Sequence, residues 1–261
     1  MTNSVWGPAD APTIILLHGF MGAGDNWEPV ARALPEYRIV APDLPGHGSS
    51  TAMSPDSYTL SGAVALCTKF MGRLSDSGRS VALLAGYSMG GRLVQEILAT
   101  GPLTNTMGVC LLGAHPGLPD KQSRAERLTA DRKLAGRIED DFEAMLEDWL
   151  KLPLFSTLSP TQRRAIMTER LRRCRPTELA RSLCGLSTGH QPDRRSVLKR
   201  EASRVTLVAG ARDDRYQALL SGLGLELVSV AGAGHNVIAE QPLLLAGILR
   251  RLALARRGRG A

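Results

Sequence analysis

The sequence predicts an α/β protein, a mostly parallel central sheet flanked by helices with a helical insertion late in the chain. Three observations lead there. Short apolar runs rich in β-branched residues alternate with helical patterns. Those runs are apolar throughout, as central strands covered on both faces require. The alternation stops over residues 118–200, where arginine-rich helical stretches replace any strand pattern. At 261 residues, 43% apolar and 22% charged, the chain can bury one core with a modest insertion. That balance excludes a mainly disordered or fibrous chain.

In order, TIILL (13–17), YRIVAPD (37–43), SVALLAG (80–86), MGVCLLG (107–113), RVTLVAG (204–210) and LELVSV (225–230) read as strands. Helical patterns fall near 27–34, 58–74, 89–100, 215–223 and 240–256. Inside the insertion they fall near 121–150, 160–173 and 176–186. The expected organisation is a core of residues 1–117 and 201–257, a helical cap over 118–200, and a disordered tail at 258–261. No apolar run is long enough for a membrane span, and MTNSVWGPADAP lacks the basic and apolar regions of a secretory signal. Four cysteines (Cys67, Cys110, Cys174, Cys184) form neither a disulfide framework nor a C-x-x-C pair, and no H-E-x-x-H occurs. The expectation is a cytoplasmic protein with reduced thiols, no metal site and no cofactor.

Charge is unevenly placed. The net charge of +7 divides into −3 over residues 1–120, +7 over 121–200, −2 over 201–249 and +5 over the last twelve residues. The arginine-rich end, RRLALARRGRGA, by itself permits a nucleic-acid reading. Its closing Gly-Arg-Gly-Ala has nothing to pack, so it is read as a frayed, solvated end with no nucleic-acid role.

The sharpest local signal is Gly86-Tyr87-Ser88-Met89-Gly90, directly after a strand and opening the helix GGRLVQEILA. A tight strand-to-helix turn lifts the serine hydroxyl above the sheet, at a helix N-terminus that favours negative charge. Serine needs a base. His235, in AGAGHNV after the last strand, is placed to reach Ser88. His18 (LLHGF) and His47 (LPGHGSS) read as loop-shaping residues, and His115 (GAHPG) as a possible pocket residue; His190 has no context. An acid at the end of the preceding strand completes the set: Asp213 in VAGARDDR, with Asp214 as competitor. The chain order Ser, Asp, His is that of α/β-hydrolases. An oxyanion hole needs two backbone amides, those of Met89 and Phe20 here.

Arg92 stands four residues after Ser88, one turn up the same helix face. The insertion adds Arg124, Arg127, Arg132, Arg163, Arg164, Arg170, Arg172 and Arg173. Most such residues solvate helix faces, but a cap over a serine turns one face to the pocket. Arginine forks there select a substrate with several carboxylates. Trp149, within EDWLKLPLF, reads first as cap core.

Together LLHGFMGAGDNW, APDLPGHGSS, GYSMGGR, GAHPGLPDKQSRAERLTADR, EDWLKLPLF with LSPTQRR, GARDDRY and AGAGHNV run in order from residue 16 to 237. This series resembles the 2-succinyl-6-hydroxy-2,4-cyclohexadiene-1-carboxylate synthases of menaquinone and phylloquinone biosynthesis, lyases on the α/β-hydrolase fold. The resemblance implies a Ser88, Asp213, His235 triad with the Phe20 and Met89 amides as oxyanion hole. It makes Arg92, Arg127 and Arg170 carboxylate binders, and Tyr87 and Trp149 pocket residues. The register around Arg170 competes with Arg172 and Arg173. The implied reaction eliminates pyruvate from 2-succinyl-5-enolpyruvyl-6-hydroxy-3-cyclohexene-1-carboxylate, with Ser88 or His235 taking the ring proton. The competing readings are a serine carboxylesterase or thioesterase using the same triad and a catalytically inert binding protein.

Overall fold

The structure, a computed structural model, describes residues 1–76, 80–101 and 106–257. Seven strands form one sheet: β1 (Asn3–Trp6), β2 (Thr13–Leu17), β3 (Arg38–Pro42), β4 (Val81–Tyr87), β5 (Thr106–Leu112), β6 (Val205–Gly210) and β7 (Leu227–Val230). Their order is β1-β3-β2-β4-β5-β6-β7. All neighbours are parallel except β1, which pairs antiparallel to β3. The six strands read from sequence are all present. β1 was missed because it is a four-residue edge strand of alternating exposure, with no continuous apolar run.

The helices are α1 (Glu28–Arg32), α2 (Leu60–Asp76), α3 (Met89–Thr100), α4 (Lys121–Asp140), α5 (Phe142–Lys151), α6 (Pro160–Arg173), α7 (Pro176–Gly185), α8 (Arg195–Arg200), α9 (Asp214–Ser221), α10 (Val237–Glu240) and α11 (Pro242–Arg257). Successive strand side chains point to opposite faces. On β2, Ile15 and Leu17 join one core cluster, with Leu93 and Ile97 of α3. Ile14 and Leu16 join the other, with Leu245 and Leu249 of α11. Full burial of such a side chain contributes about 1.5–3 kcal/mol, so the central strands anchor both layers.

Between β5 and β6 the described chain is helical, α4 to α8. The single helical stretch expected over 121–150 is two helices. Asp141 ends α4 and caps α5 by accepting from the Ala144 N–H at 3.0 Å. A Ser159–Gln162 capping box starts α6. The third core cluster lies here: Ile138, Leu146, Phe155 and Leu179 pack together with Met21 from the loop after β2.

The C-terminal reading needs one correction. Arg250 is not part of a frayed end: α11 runs to Arg257, and Arg250 donates through Nε to Glu36 at 2.5 Å and through Nη2 to the Ala33 carbonyl at 2.6 Å, tying α11 to α1. The 258–261 tail lies outside the described residues. Among the described residues no helix is long and apolar enough to cross a membrane, and no cluster of side chains is arranged to hold a metal ion.

Candidate active site

Parallel strands deliver their following loops to one sheet edge. At that edge β4 ends in Ser88, β2 in His18–Phe20, β5 in Gly113–His115, β6 in Asp213 and β7 leads to His235. Ser88 has φ 49° and ψ −107°, a conformation that costs a non-glycine residue about 1–3 kcal/mol. The turn is held by the Ser88 N–H on the Leu112 carbonyl at 2.8 Å and the Arg92 N–H on the Ser88 carbonyl at 3.0 Å. Gly90 permits the close approach of α3 to β2, since a Cβ there would lie 2.4 Å from the Leu17 carbonyl oxygen.

His235 and Asp213 are both buried, and Nδ1 of His235 lies 2.7 Å from Oδ2 of Asp213. A carboxylate accepts only, so Nδ1 carries the proton and Nε2 is free to act as a base. Asp213 is also the N-cap of α9, its Oδ1 facing the Tyr216 N–H at 3.3 Å. Asp214, the competitor, is exposed. The His235 ring is packed by Tyr216 (centroids 4.7 Å), Tyr87 (5.4 Å) and Phe155 (6.2 Å). Gly113, at φ 50°, leaves it room: a Cβ there would fall 3.0 Å from Cε1.

One cavity of about 370 Å³ collects the candidate residues: Phe20, Tyr87, Ser88, Met89, Arg92, Arg127, Trp149, Arg170 and His235 all line it. The Phe20 and Met89 amides donate to no protein acceptor among the described residues, which suits them to a developing oxyanion. Trp149 lines the cavity and packs edge-on against Phe20 beside the helical cluster. A larger groove, about 1030 Å³, lies between α2 and the 185–194 segment. It is more open and contains none of the residues above, so size does not locate the chemistry.

The cavity is electropositive. Arg92 has no ion-pair partner among the described residues, and burial followed by the charge of Arg127 pulls its pKa down to about 10. Arg170 is 9% exposed, with Nη1 buried and unpartnered; burial lowers its pKa. Arg127 is held by Asp131, Nε lying 2.8 Å from both carboxylate oxygens, and Ser187 Oγ donates to the same carboxylate at 2.6 Å. Arg215, unremarked in the sequence, also lines the cavity. Of the three α6 arginines in competing register, Arg170 lines the cavity. Arg172 is exposed, and Arg173 is engaged by Asp25 and Glu169 away from the cavity. Arg163 caps carbonyls at Leu150 and Phe155, and Arg124 donates to Leu118. Arg132 and Arg164 are exposed. A buried, unpaired cation is destabilising, so Arg170→Met is expected to raise stability by about 1 kcal/mol or more, read by urea unfolding.

Sequence reasoning missed Tyr216, Phe155 and Arg215. Tyr216 carries a faint signal, standing at the third position after the capping Asp213. Phe155 has none, because packing of the helical cluster brings it in, and Arg215 stands beside Tyr216 on α9.

His18 and His47 behave as loop residues. His18 Nε2 accepts from the Leu44 N–H at 2.9 Å while Nδ1 donates to the Gly19 carbonyl at 2.8 Å. His47 Nδ1 donates to the Pro45 carbonyl at 3.0 Å. Burial, then the neighbouring His18, pushes the His47 pKa down to about 3. Unfolded chain binds this proton near pH 6.5, the folded chain only near 3. The folded state is therefore undisturbed above pH 6.5 and loses up to about 1.4 kcal/mol per pH unit from this group as pH falls towards 3. His47→Asn, which keeps the donor to Pro45, is expected to flatten the decline in urea stability between pH 6.5 and pH 4.5.

The sheet and the strand–serine–helix turn define the class, an α/β-hydrolase scaffold. The alpha/beta hydrolase family model matches residues 14–248. Among solved structures, MenH from S. aureus matches with TM-score 0.88 at 22% identity, covering 98% of each chain. A thermophilic esterase from Thermogutta terrifontis gives 0.77 at 19% identity, covering 97% of this chain and 93% of the esterase. At those identities they establish the fold alone. The 2-succinyl-6-hydroxy-2,4-cyclohexadiene-1-carboxylate synthase of Escherichia coli O9:H4 (strain HS) is 34% identical over 248 residues, 95% of this chain and 94% of its own. The synthase of the same name from Shigella boydii serotype 4 (strain Sb227) is also 34% identical over the same shares. The chain belongs to the alpha/beta hydrolase family and, within it, to the 2-succinyl-6-hydroxy-2,4-cyclohexadiene-1-carboxylate synthases.

Proposed function

We propose that this chain is a carbon–oxygen lyase that eliminates pyruvate from 2-succinyl-5-enolpyruvyl-6-hydroxy-3-cyclohexene-1-carboxylate, giving 2-succinyl-6-hydroxy-2,4-cyclohexadiene-1-carboxylate for quinone biosynthesis. The observation that carries it is the cavity in which Arg92 and Arg170, without ion-pair partners among the described residues, stand with Ser88 and His235. Unpaired buried guanidiniums cost stability unless an anion neutralises them. A substrate with three carboxylates supplies that charge.

Ser88, Asp213 and His235 act as the triad. Asp213 holds the His235 tautomer and stabilises the imidazolium that forms. His235, or Ser88 activated by it, takes the C2 proton, which the succinyl ketone acidifies. The ketone oxygen gains enolate charge against the Phe20 and Met89 amides, a contribution of several kcal/mol. The C2–H electrons then form the C2–C3 double bond and the ring double bond shifts to C4–C5. The C5–O bond breaks and releases enolpyruvate, which becomes pyruvate on protonation. His235 returns the proton. No acyl-enzyme forms and no cofactor is used.

Arg92, Arg127 and Arg170 bind the carboxylates, Tyr87 and Trp149 wall the ring, and residues 118–200 serve as a cap over a core of 1–117 and 201–257. The unpaired state of all four cysteines supports a cytoplasmic location. The test is a coupled assay of pyruvate from the enolpyruvyl compound, with intact-protein mass recorded during turnover. One pyruvate per substrate consumed, with the protein mass unchanged, is the expected result. Acylated Ser88 without pyruvate would establish an esterase instead.

A further inference from the structure

The loop after β5 carries a polar group that the mechanism above leaves unused. His115 lines the same cavity as Ser88 and Arg92. Its backbone is fixed: the His115 carbonyl accepts from Gln95 Nε2 at 3.1 Å, and the Pro116 carbonyl accepts from the Arg194 N–H at 2.7 Å. Arg194 is in turn clamped to Glu96 of α3, Nε to Oε1 at 2.8 Å and Nη2 to Oε2 at 2.5 Å. The ring is fixed as well, because its Nδ1 faces the Gly117 N–H at 3.1 Å. An amide N–H cannot donate to a protonated nitrogen, so this bond selects the neutral ring with its proton on Nε2. That Nε2–H has no protein acceptor among the described residues.

We infer that His115 is a specificity-determining contact: its neutral Nε2–H donates to a carboxylate or carbonyl oxygen of the polyanionic ligand, beside the guanidinium of Arg92. The electrostatics agree with the geometry. Burial, then the charges of Arg92, Arg215, Arg195 and Arg127, hold the His115 pKa down at about 4. The ring therefore supplies a donor where another cation would be repelled by those already present. An uncharged donor also discriminates by direction, because it demands an acceptor along one line whereas a cation attracts any nearby anion. The inference rests on the polycarboxylate reading of the site and adds a fourth recognition element to it.

Two substitutions separate this role from mere shaping of the loop. In His115→Gln the side-chain amide nitrogen reaches the place of Nε2. In His115→Asn the amide oxygen reaches the place of Nδ1, keeping the Gly117 bond but losing the reach. With the enolpyruvyl compound, Asn is expected to raise KM about 10- to 100-fold with kcat little changed, the loss of one hydrogen bond to a charged group. Gln should stay within about fivefold of wild type. Wild-type behaviour of Asn, or equal behaviour of the two variants, would overturn the inference. Direct binding of the same compound is measured by calorimetry in parallel. A wild type that binds it without releasing pyruvate fails the lyase reading, and the order of Kd values among the three proteins then decides the role of His115.

Discussion

Ser88→Ala is expected to lower kcat for pyruvate release by about 10²- to 10⁴-fold while KM stays near its original value. In the proposed mechanism the Ser88 hydroxyl, delivered by the β4–α3 turn, works with His235 in taking the ring proton. In the same proposal binding falls to the arginines, which the substitution does not touch. The same position yields a stability signature. Ser88 sits at φ 49°, a strain that alanine keeps and glycine releases. Ser88→Gly should be inactive yet more stable than Ser88→Ala by about 1 kcal/mol, read as a higher urea midpoint. A serine held in this conformation for packing alone would have no reason to resist replacement by glycine. The expected combination, lost turnover with gained stability, marks strain retained for chemistry.

The second large effect is at Arg92. Arg92→Ala is expected to reduce kcat/KM by about 10- to 150-fold, mostly through KM, as one charge-assisted contact to a carboxylate disappears. Arg92→Lys should recover only part of this, because a point charge cannot reproduce the planar two-pronged fork. The guanidinium is half-buried in the cavity with no ion-pair partner among the described residues, so the free enzyme carries it at a cost. Arg92→Met, like Arg170→Met, should therefore unfold at higher urea than wild type while binding the substrate poorly. A cation kept only to stabilise the fold would give the reverse order. The two effects are also separable by salt. Raised ionic strength should weaken substrate binding in wild type more than in Arg92→Ala, and leave the Ser88 effect on kcat unchanged.

Much of this was legible before any coordinates. The continuous apolar runs of β2 to β6 are the direct imprint of burial on both faces, and with the half-exposed edge strand β7 they mark the sheet to within a residue or two. The serine turn was legible because a tight strand-to-helix turn demands glycines on either side, and strand and helix patterns flank them. Asp213 and His235 followed from lying after successive strands, since parallel strands open their loops at one edge. What was not legible came from packing between distant segments. Phe155 approaches the site through the helical cluster that includes Met21. Arg170 was separated from Arg172 and Arg173 only by which face of α6 turns inwards. Asp141, with its two roles at adjoining helix ends, reads in sequence as one more acid in a polar run. β1 was missed because an edge strand needs only half its side chains covered, which leaves no apolar run to detect.

The most direct test is a competition in one cuvette between the enolpyruvyl compound and p-nitrophenyl acetate, with pyruvate and nitrophenol followed together. A cationic chamber over Ser88, working as proposed, should favour pyruvate release over ester cleavage by about 10³-fold or more in kcat/KM. Brisk nitrophenol release with no pyruvate would contradict the account, and would show the arginines to be ornaments of an ordinary esterase.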